Sequence, residues 1–142
     1  TLPVSYIMGS LLIISAGILR KICYRTLGRF FTFELSIQRE HRLITKGPYS
    51  FVRHPSYTGT LLLTIGLFLM HGNPDSWLRT SGVLEFIPLR ILLLGWGGVA
   101  FVLTVGLFAR AAQEDRLMRD RFGEEWDRWA SGVRYCIVPG IY

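Results

Sequence analysis

The stretch His41-Arg-Leu-Ile-Thr-Lys-Gly-Pro-Tyr-Ser-Phe-Val-Arg-His-Pro-Ser-Tyr-Thr-Gly59 gathers imidazole, guanidinium, phenol and hydroxyl groups just before an uncharged run. Gly47-Pro48 is a turn signal, and Pro55 suits the first turn of a helix, where its missing N–H costs nothing. That places His54 at a helix entrance, where free N–H groups favour the anionic part of a ligand such as a carboxylate. His54 and Tyr57, three apart, share a helical face and can hold a small polar ligand together. Taken singly, Arg53 and His54 are equally headgroup anchors, and Tyr49 and Tyr57 equally members of an aromatic belt. Their density beside two turns favours a ligand site.

A second pair is Arg110 and Glu114 in Arg110-Ala-Ala-Gln-Glu114. Four residues apart on one helix face, they form either a salt bridge, worth about 0.3–0.5 kcal/mol when exposed, or a binding pair. As a binding pair, the planar Arg110 fork meets a carboxylate, and Glu114 accepts from a ligand ammonium or ribose.

The elements that must position these residues are apolar. Three segments carry almost no charge: 2–19, 55–72 and 87–109, the last with only Arg90 near its start. An eighteen-residue helix covers roughly 27 Å, close to the thickness of a bilayer core, so each is read as a spanning helix. Gly59, Gly66 and neighbouring threonines give the second a small-residue surface suited to helix packing in lipid. Residues 116–129 read as an amphipathic helix interrupted at Gly123, with Leu117, Met118, Phe122, Trp126 and Trp129 as its apolar contacts. The expected fold class is therefore all-α: a polytopic integral membrane domain, 1–142, with a pocket for a polar ligand at the lipid–water interface. A chain that opens at Thr1 inside an apolar run is expected to be an N-terminally truncated piece of a longer protein.

Composition agrees. Half of the 142 residues are hydrophobic, more than is usual in a soluble domain. The net charge of +6 is concentrated: residues 20–53 hold eight Lys or Arg against two acids, and residues 110–142 hold six of each. Positive-inside reasoning puts both segments on the cytosolic face and assigns the charge to membrane orientation, not to nucleic acid. Cys23 and Cys136 have no metal-ligand spacing, so no metal is expected.

With these residues in view, the chain resembles the isoprenylcysteine carboxyl methyltransferase family. The motifs are His41-Arg-Leu-Ile44, Gly47-Pro-Tyr49, Arg53-His-Pro-Ser-Tyr57 with Gly59, Arg110 with Glu114, Phe122-Gly-Glu-Glu-Trp126 and Val138-Pro-Gly-Ile141. The resemblance implies S-adenosylmethionine as cofactor and the C-terminal prenylated cysteine of CaaX-type proteins as partner. It further implies a multi-pass location in the endoplasmic reticulum membrane with the active site facing the cytosol. It assigns cofactor contacts to His41, Arg42, Leu43, Ile44, Tyr49, His54, Pro55, Ser56, Tyr57 and Glu114, and the substrate carboxylate to Arg110. The family often has a further contact at an upstream Gln; at that spacing this chain has Glu34, with Gln38 nearby. Arg-His-Pro-x-Tyr and the final residues also resemble sterol reductases, which use NADPH. Phospholipid methyltransferases share the cofactor but methylate an amine, which gives less reason for Arg110. A structural membrane protein with basic loops is the reading outside enzymes.

Overall fold

The computed structural model describes residues 3–28 and 42–141. Among the described residues all regular structure is helical, as expected: α1 (Val4–Leu27), α2 (Pro55–Gly72), the single-turn α3 (Trp77–Thr80), α4 (Ile87–Phe122) and α5 (Glu124–Gly132), with short 3₁₀ turns at Gly47–Ser50 and Val83–Glu85.

α2 has the bounds expected of it, beginning at Pro55 and ending at Gly72. α1 and α4 both run past the ends of their apolar segments. α1 continues through Arg20 and Lys21 to Leu27, and α4 continues from the expected start at Ile87 through Arg110 and Glu114 to Phe122. Charges end an apolar run but do not end a helix, because Arg, Lys and Glu are good helix formers. The segment 116–129 is consequently divided. Its first part is the end of α4, and its second part is α5, which begins after Gly123 at φ +53°, a backbone conformation that disfavours side chains with a Cβ. α1 and α4 are long and apolar enough to cross a membrane.

The chain forms two compact units, one of residues 1–17 and 59–106, the other of residues 18–58 and 107–142. In the first unit α1 and α2 approach at Gly9 and Gly66. A Cβ on Gly9 would lie 2.6 Å from the Gly66 carbonyl oxygen, and one on Gly66 would lie 2.7 Å from that of Gly9. Such glycine crossings let helix backbones pack closely where lipid tails supply no hydrophobic drive. Hydroxyls tie the same unit together: Ser10 Oγ donates to Met70 Sδ at 3.7 Å, and the Thr64 and Thr104 hydroxyls lie 2.9 Å apart. Outward from α4, Ile91, Leu92, Leu94, Trp96, Phe101, Val102 and Leu103 are exposed, an apolar surface suited to acyl chains and too large for an ordinary soluble monomer.

In the second unit the core is Ala111, Cys136 and Ile137, packed against Tyr57, Phe108 and Val138. Two residues of the chain's final segment thus form the centre of this unit.

At the glycine crossing, Gly66→Ala should destabilise the protein by roughly 1–3 kcal/mol through overpacking against backbone. Gly17→Ala, with nothing within 4 Å of the added Cβ, should be neutral or stabilising by up to roughly 1 kcal/mol. Thermal midpoints in detergent check this; equal shifts for the two would remove the crossing from the account.

Candidate active site

Gly47 adopts φ +63° and opens the 3₁₀ turn with Pro48 behind it. The turn delivers Tyr49 into a buried position. The Tyr49 phenol shares a hydrogen bond with the Cys23 thiol, and its carbonyl accepts from Trp129 Nε1 at 3.2 Å. Burial and the Cys23 contact push the phenol well above its ordinary pKa, so it stays protonated.

The chain then meets its own C-terminal segment. The backbone N–H of Arg53 donates to the Tyr135 carbonyl at 2.9 Å, and that of His54 to the Cys136 carbonyl at 2.8 Å. The Thr58 hydroxyl donates to the Ile137 carbonyl. The expected free donors at this helix entrance are therefore engaged at Arg53 and His54, because the final segment runs alongside them. Pro55, fully buried, starts α2, and the His54 carbonyl accepts the first helical bonds from Tyr57 and Thr58.

One turn of α4 faces this entrance. The His54 and Tyr57 rings stack with centroids 5.3 Å apart and planes 8° from parallel, the shared face expected from their spacing. Tyr57 Oη donates to Glu114 Oε1 at 2.6 Å, and Arg110 Nε donates to the same oxygen at 3.0 Å. His54 Nδ1 lies 3.3 Å from Glu114 Oε2, and His54 Nε2 lies 2.9 Å from Asp115 Oδ1. Arg53 Nε makes an ion pair with Asp115 Oδ2 at 3.2 Å, and the Arg53 guanidinium sits over the Trp126 ring at 5.9 Å. The i,i+4 bridge between Arg110 and Glu114 is thus formed, but as one link in a cluster of three basic and two acidic side chains.

His54, Tyr57, Arg110 and Glu114 come together, with Pro55 and Ser56 in the turn that carries the first two. Arg42 is exposed, and Leu43 and Ile44 are half-buried on the approach to Gly47. His41 and Glu34, with Gln38, lie outside the described residues. Residue patterns missed Asp115. It sits beside Glu114, but neighbours on a helix point about 100° apart, so an argument from i,i+4 faces passes over it. Its signal was the adjacency of two acids where an apolar helix turns polar. His54, Asp115 and Cys136 also place ligand-type atoms within 4.8 Å of one another; there the Arg53 guanidinium already supplies a cation to Asp115.

These features define an all-helical protein with apolar helices of membrane-crossing length and a partly buried cluster of alternating charge. The chain belongs to the isoprenylcysteine carboxyl methyltransferase family, whose pattern matches residues 8–120. It is 33% identical over 129 residues to protein-S-isoprenylcysteine O-methyltransferase B of Arabidopsis thaliana, covering 88% of this chain and 55% of that protein. It is likewise 33% identical over 134 residues to a probable protein-S-isoprenylcysteine O-methyltransferase of Oryza sativa subsp. indica, covering 92% and 59%. The chain thus spans a little over half the length of these relatives. A weaker likeness, 25% over 108 residues, links 76% of the chain to 21% of a delta(14)-sterol reductase of Schizosaccharomyces pombe. No solved structure matches the chain.

Burial acts against a charged His54, but hydrogen bonds to Asp115, Cys136 and Glu114 and the Asp115 charge outweigh it, and its pKa is held well above 6.5. A pKa raised on folding stabilises the native state fully below the unfolded value, about 6.5, and that contribution is lost as pH rises through the folded value. The stability difference between wild type and His54→Gln should accordingly be largest at about pH 6 and shrink under alkaline conditions. Thermal unfolding across pH 6 to 10 reads this, and a pH-independent difference would contradict a charged His54.

Proposed function

We propose that this chain forms the catalytic part of an S-adenosylmethionine-dependent methyltransferase that esterifies the carboxylate of a prenylated C-terminal cysteine. Family membership supports the reaction class, and the observation that carries the site assignment is Arg110 bound through Nε to a Glu114 that Tyr57 and His54 also hold. In this reading the partners are CaaX-type proteins and the bilayer. The protein is a multi-pass resident of the endoplasmic reticulum membrane with segments 2–19, 55–72 and 87–109 crossing, and its polar site faces the cytosol, in keeping with the basic segment 20–53.

The cofactor supplies an electrophilic methyl group on a sulfonium. Glu114, half-buried and kept ionised by its donors, is assigned to its ammonium or ribose through its remaining acceptor capacity, and His54, Ser56 and Tyr57 line the same turn; Arg42, Leu43, Ile44 and Tyr49, with His41, complete the proposed contacts. The acceptor needs no base, since a C-terminal carboxyl with a pKa of about 3.3–3.7 is already ionised at neutral pH. Transfer of that methyl group to a carboxylate oxygen, with the neutral thioether as leaving group, would require no proton to change hands. What the residues must supply is position. Arg110 orients the carboxylate with its planar fork, and Glu114 shares the guanidinium so that it does not bind the nucleophile so tightly as to blunt it. The prenyl chain stays in lipid while the polar cofactor arrives from water.

The test is transfer of radiolabelled methyl from S-adenosylmethionine to N-acetyl-S-farnesylcysteine by the full-length protein in detergent or lipid, with the non-prenylated analogue as control. Base-labile label on the prenylated acceptor alone is the expected result. Label on phospholipid instead, or sterol reduction with NADPH and no label, would replace the reading. Arg110→Ala should lower kcat/KM for the prenylated acceptor by about 10²-fold while cofactor binding, measured by thermal shift with the demethylated product, stays within a few-fold. Unimpaired turnover in that variant would remove Arg110 from the carboxylate.

A further inference from the structure

Asp115 has no role in the reading above, yet it is the better-buried of the two neighbouring acids: its side chain is 16% exposed against 26% for Glu114. Both ring nitrogens of His54 face carboxylate oxygens, Nε2 towards Asp115 Oδ1 at 2.9 Å and Nδ1 towards Glu114 Oε2 at 3.3 Å. Ionised carboxylates only accept, and a neutral imidazole has a single N–H, so only the imidazolium satisfies both. Asp115 is itself fixed, with Arg53 Nε 3.2 Å from its other oxygen and Cys136 Sγ 4.0 Å from the same atom. The ring it grips is further held flat against Tyr57. From His54 the chain of contacts passes to Glu114 Oε2, while Glu114 Oε1 takes Tyr57 and Arg110.

We propose that Asp115 is a positioning residue of the methyl-transfer site: through the His54 imidazolium it fixes the Glu114 carboxylate and, with it, the orientation of Arg110. The inference rests on the methyltransferase reading of this cluster and adds to it a residue that touches neither cofactor nor acceptor. It also supplies a charge rule. Three cations, Arg53, His54 and Arg110, face two carboxylates, Asp115 and Glu114, so the cluster carries a net positive charge that favours an anionic acceptor. The groups facing His54 are Asp115 and Glu114 from α4, Cys136 from the final segment and Tyr57 from its own helix, with Arg53 across Asp115. Among them Asp115 and Glu114 are the acids that favour the charged ring, with Cys136 adding a hydrogen bond, and removing Asp115 lowers the pKa of the ring.

The test is a double-mutant cycle on the full-length protein with Asp115→Asn, His54→Gln and the pair combined, reading methyl transfer to the prenylated acceptor against pH. Asp115→Asn should lower kcat/KM by roughly 10- to 100-fold and make activity fall with rising pH from a lower pH than in wild type. In the His54→Gln background the same change should cost less than about 3-fold, because the route through the ring is already cut. Equal losses in both backgrounds would show that Asp115 acts elsewhere, for instance by anchoring Arg53, and would overturn the proposal, as would an Asp115→Asn enzyme with wild-type rate and profile. Helicity and thermal midpoint are measured in parallel. If Asp115→Asn does not fold, Asp115→Glu takes its place: it keeps the charge, so it should retain the wild-type pH profile with a rate lowered only in the presence of His54. A shifted profile, or a loss independent of His54, would overturn the proposal in that form. An inactive wild-type protein overturns the underlying reading and this role with it; an active one with additive variants overturns the role of Asp115 alone.

Discussion

Two adjacent carboxylates, Glu114 and Asp115, sit partly out of water on one turn of α4, and the second unit is arranged around their need for cations. Left unpaired, buried charges of this kind cost several kcal/mol each. His54 lies between them and serves both, which requires its ring to stand at one place in one plane. The ring is set there by Pro55, which starts α2 immediately after it, and by the final segment, whose Tyr135 and Cys136 carbonyls bind the backbone of Arg53 and His54. That segment stays in place because Ile137 and Cys136 are buried in the core beside Ala111 and Tyr57. Packing of the last residues and charge balance at the cluster are thus one constraint seen from two sides.

The length of α4 explains how an apolar helix can carry this cluster. Thirty-six residues at 1.5 Å each span about 54 Å, well beyond a hydrocarbon core of about 30 Å. An apolar stretch and a charged stretch can therefore belong to one helix without placing the charges in lipid. The turn bearing Arg110, Glu114 and Asp115 begins where the apolar residues stop.

Much of this was legible in the residues. Pro55 and Gly72 bound α2 where local chemistry says they should, and Gly123 breaks the helical path as a glycine at positive φ does. The pairs His54 with Tyr57 and Arg110 with Glu114 followed from helical spacing alone. That the two pairs meet did not, because the contact spans 57 residues of chain and no periodicity encodes it. That α4 runs unbroken from Ile87 to Phe122 was obscured by reading the third apolar segment and the segment from 116 as separate elements. Asp115 was obscured by reasoning in faces four residues apart, and the C-terminal segment by having backbone carbonyls as its contribution, which any residue type supplies.

The committed protons of the cluster bear on which chemistry suits it. The Tyr57 hydroxyl is given to Glu114, the two N–H groups of the His54 imidazolium point at two carboxylates, and Arg110 Nε is on Glu114. Reducing a carbon–carbon double bond needs a proton delivered beside the hydride, so a site for it must hold an acid ready to let go. Methyl transfer to an ionised carboxylate needs none, and is served by groups that hold their protons and keep their places. An exposed i,i+4 salt bridge, worth about 0.3–0.5 kcal/mol, would give no reason to aim a tyrosine and a histidine at the same carboxylate. The arrangement is that of a rigid charged frame whose members fix one another, which favours orientation over proton transfer as the work this part of the chain does.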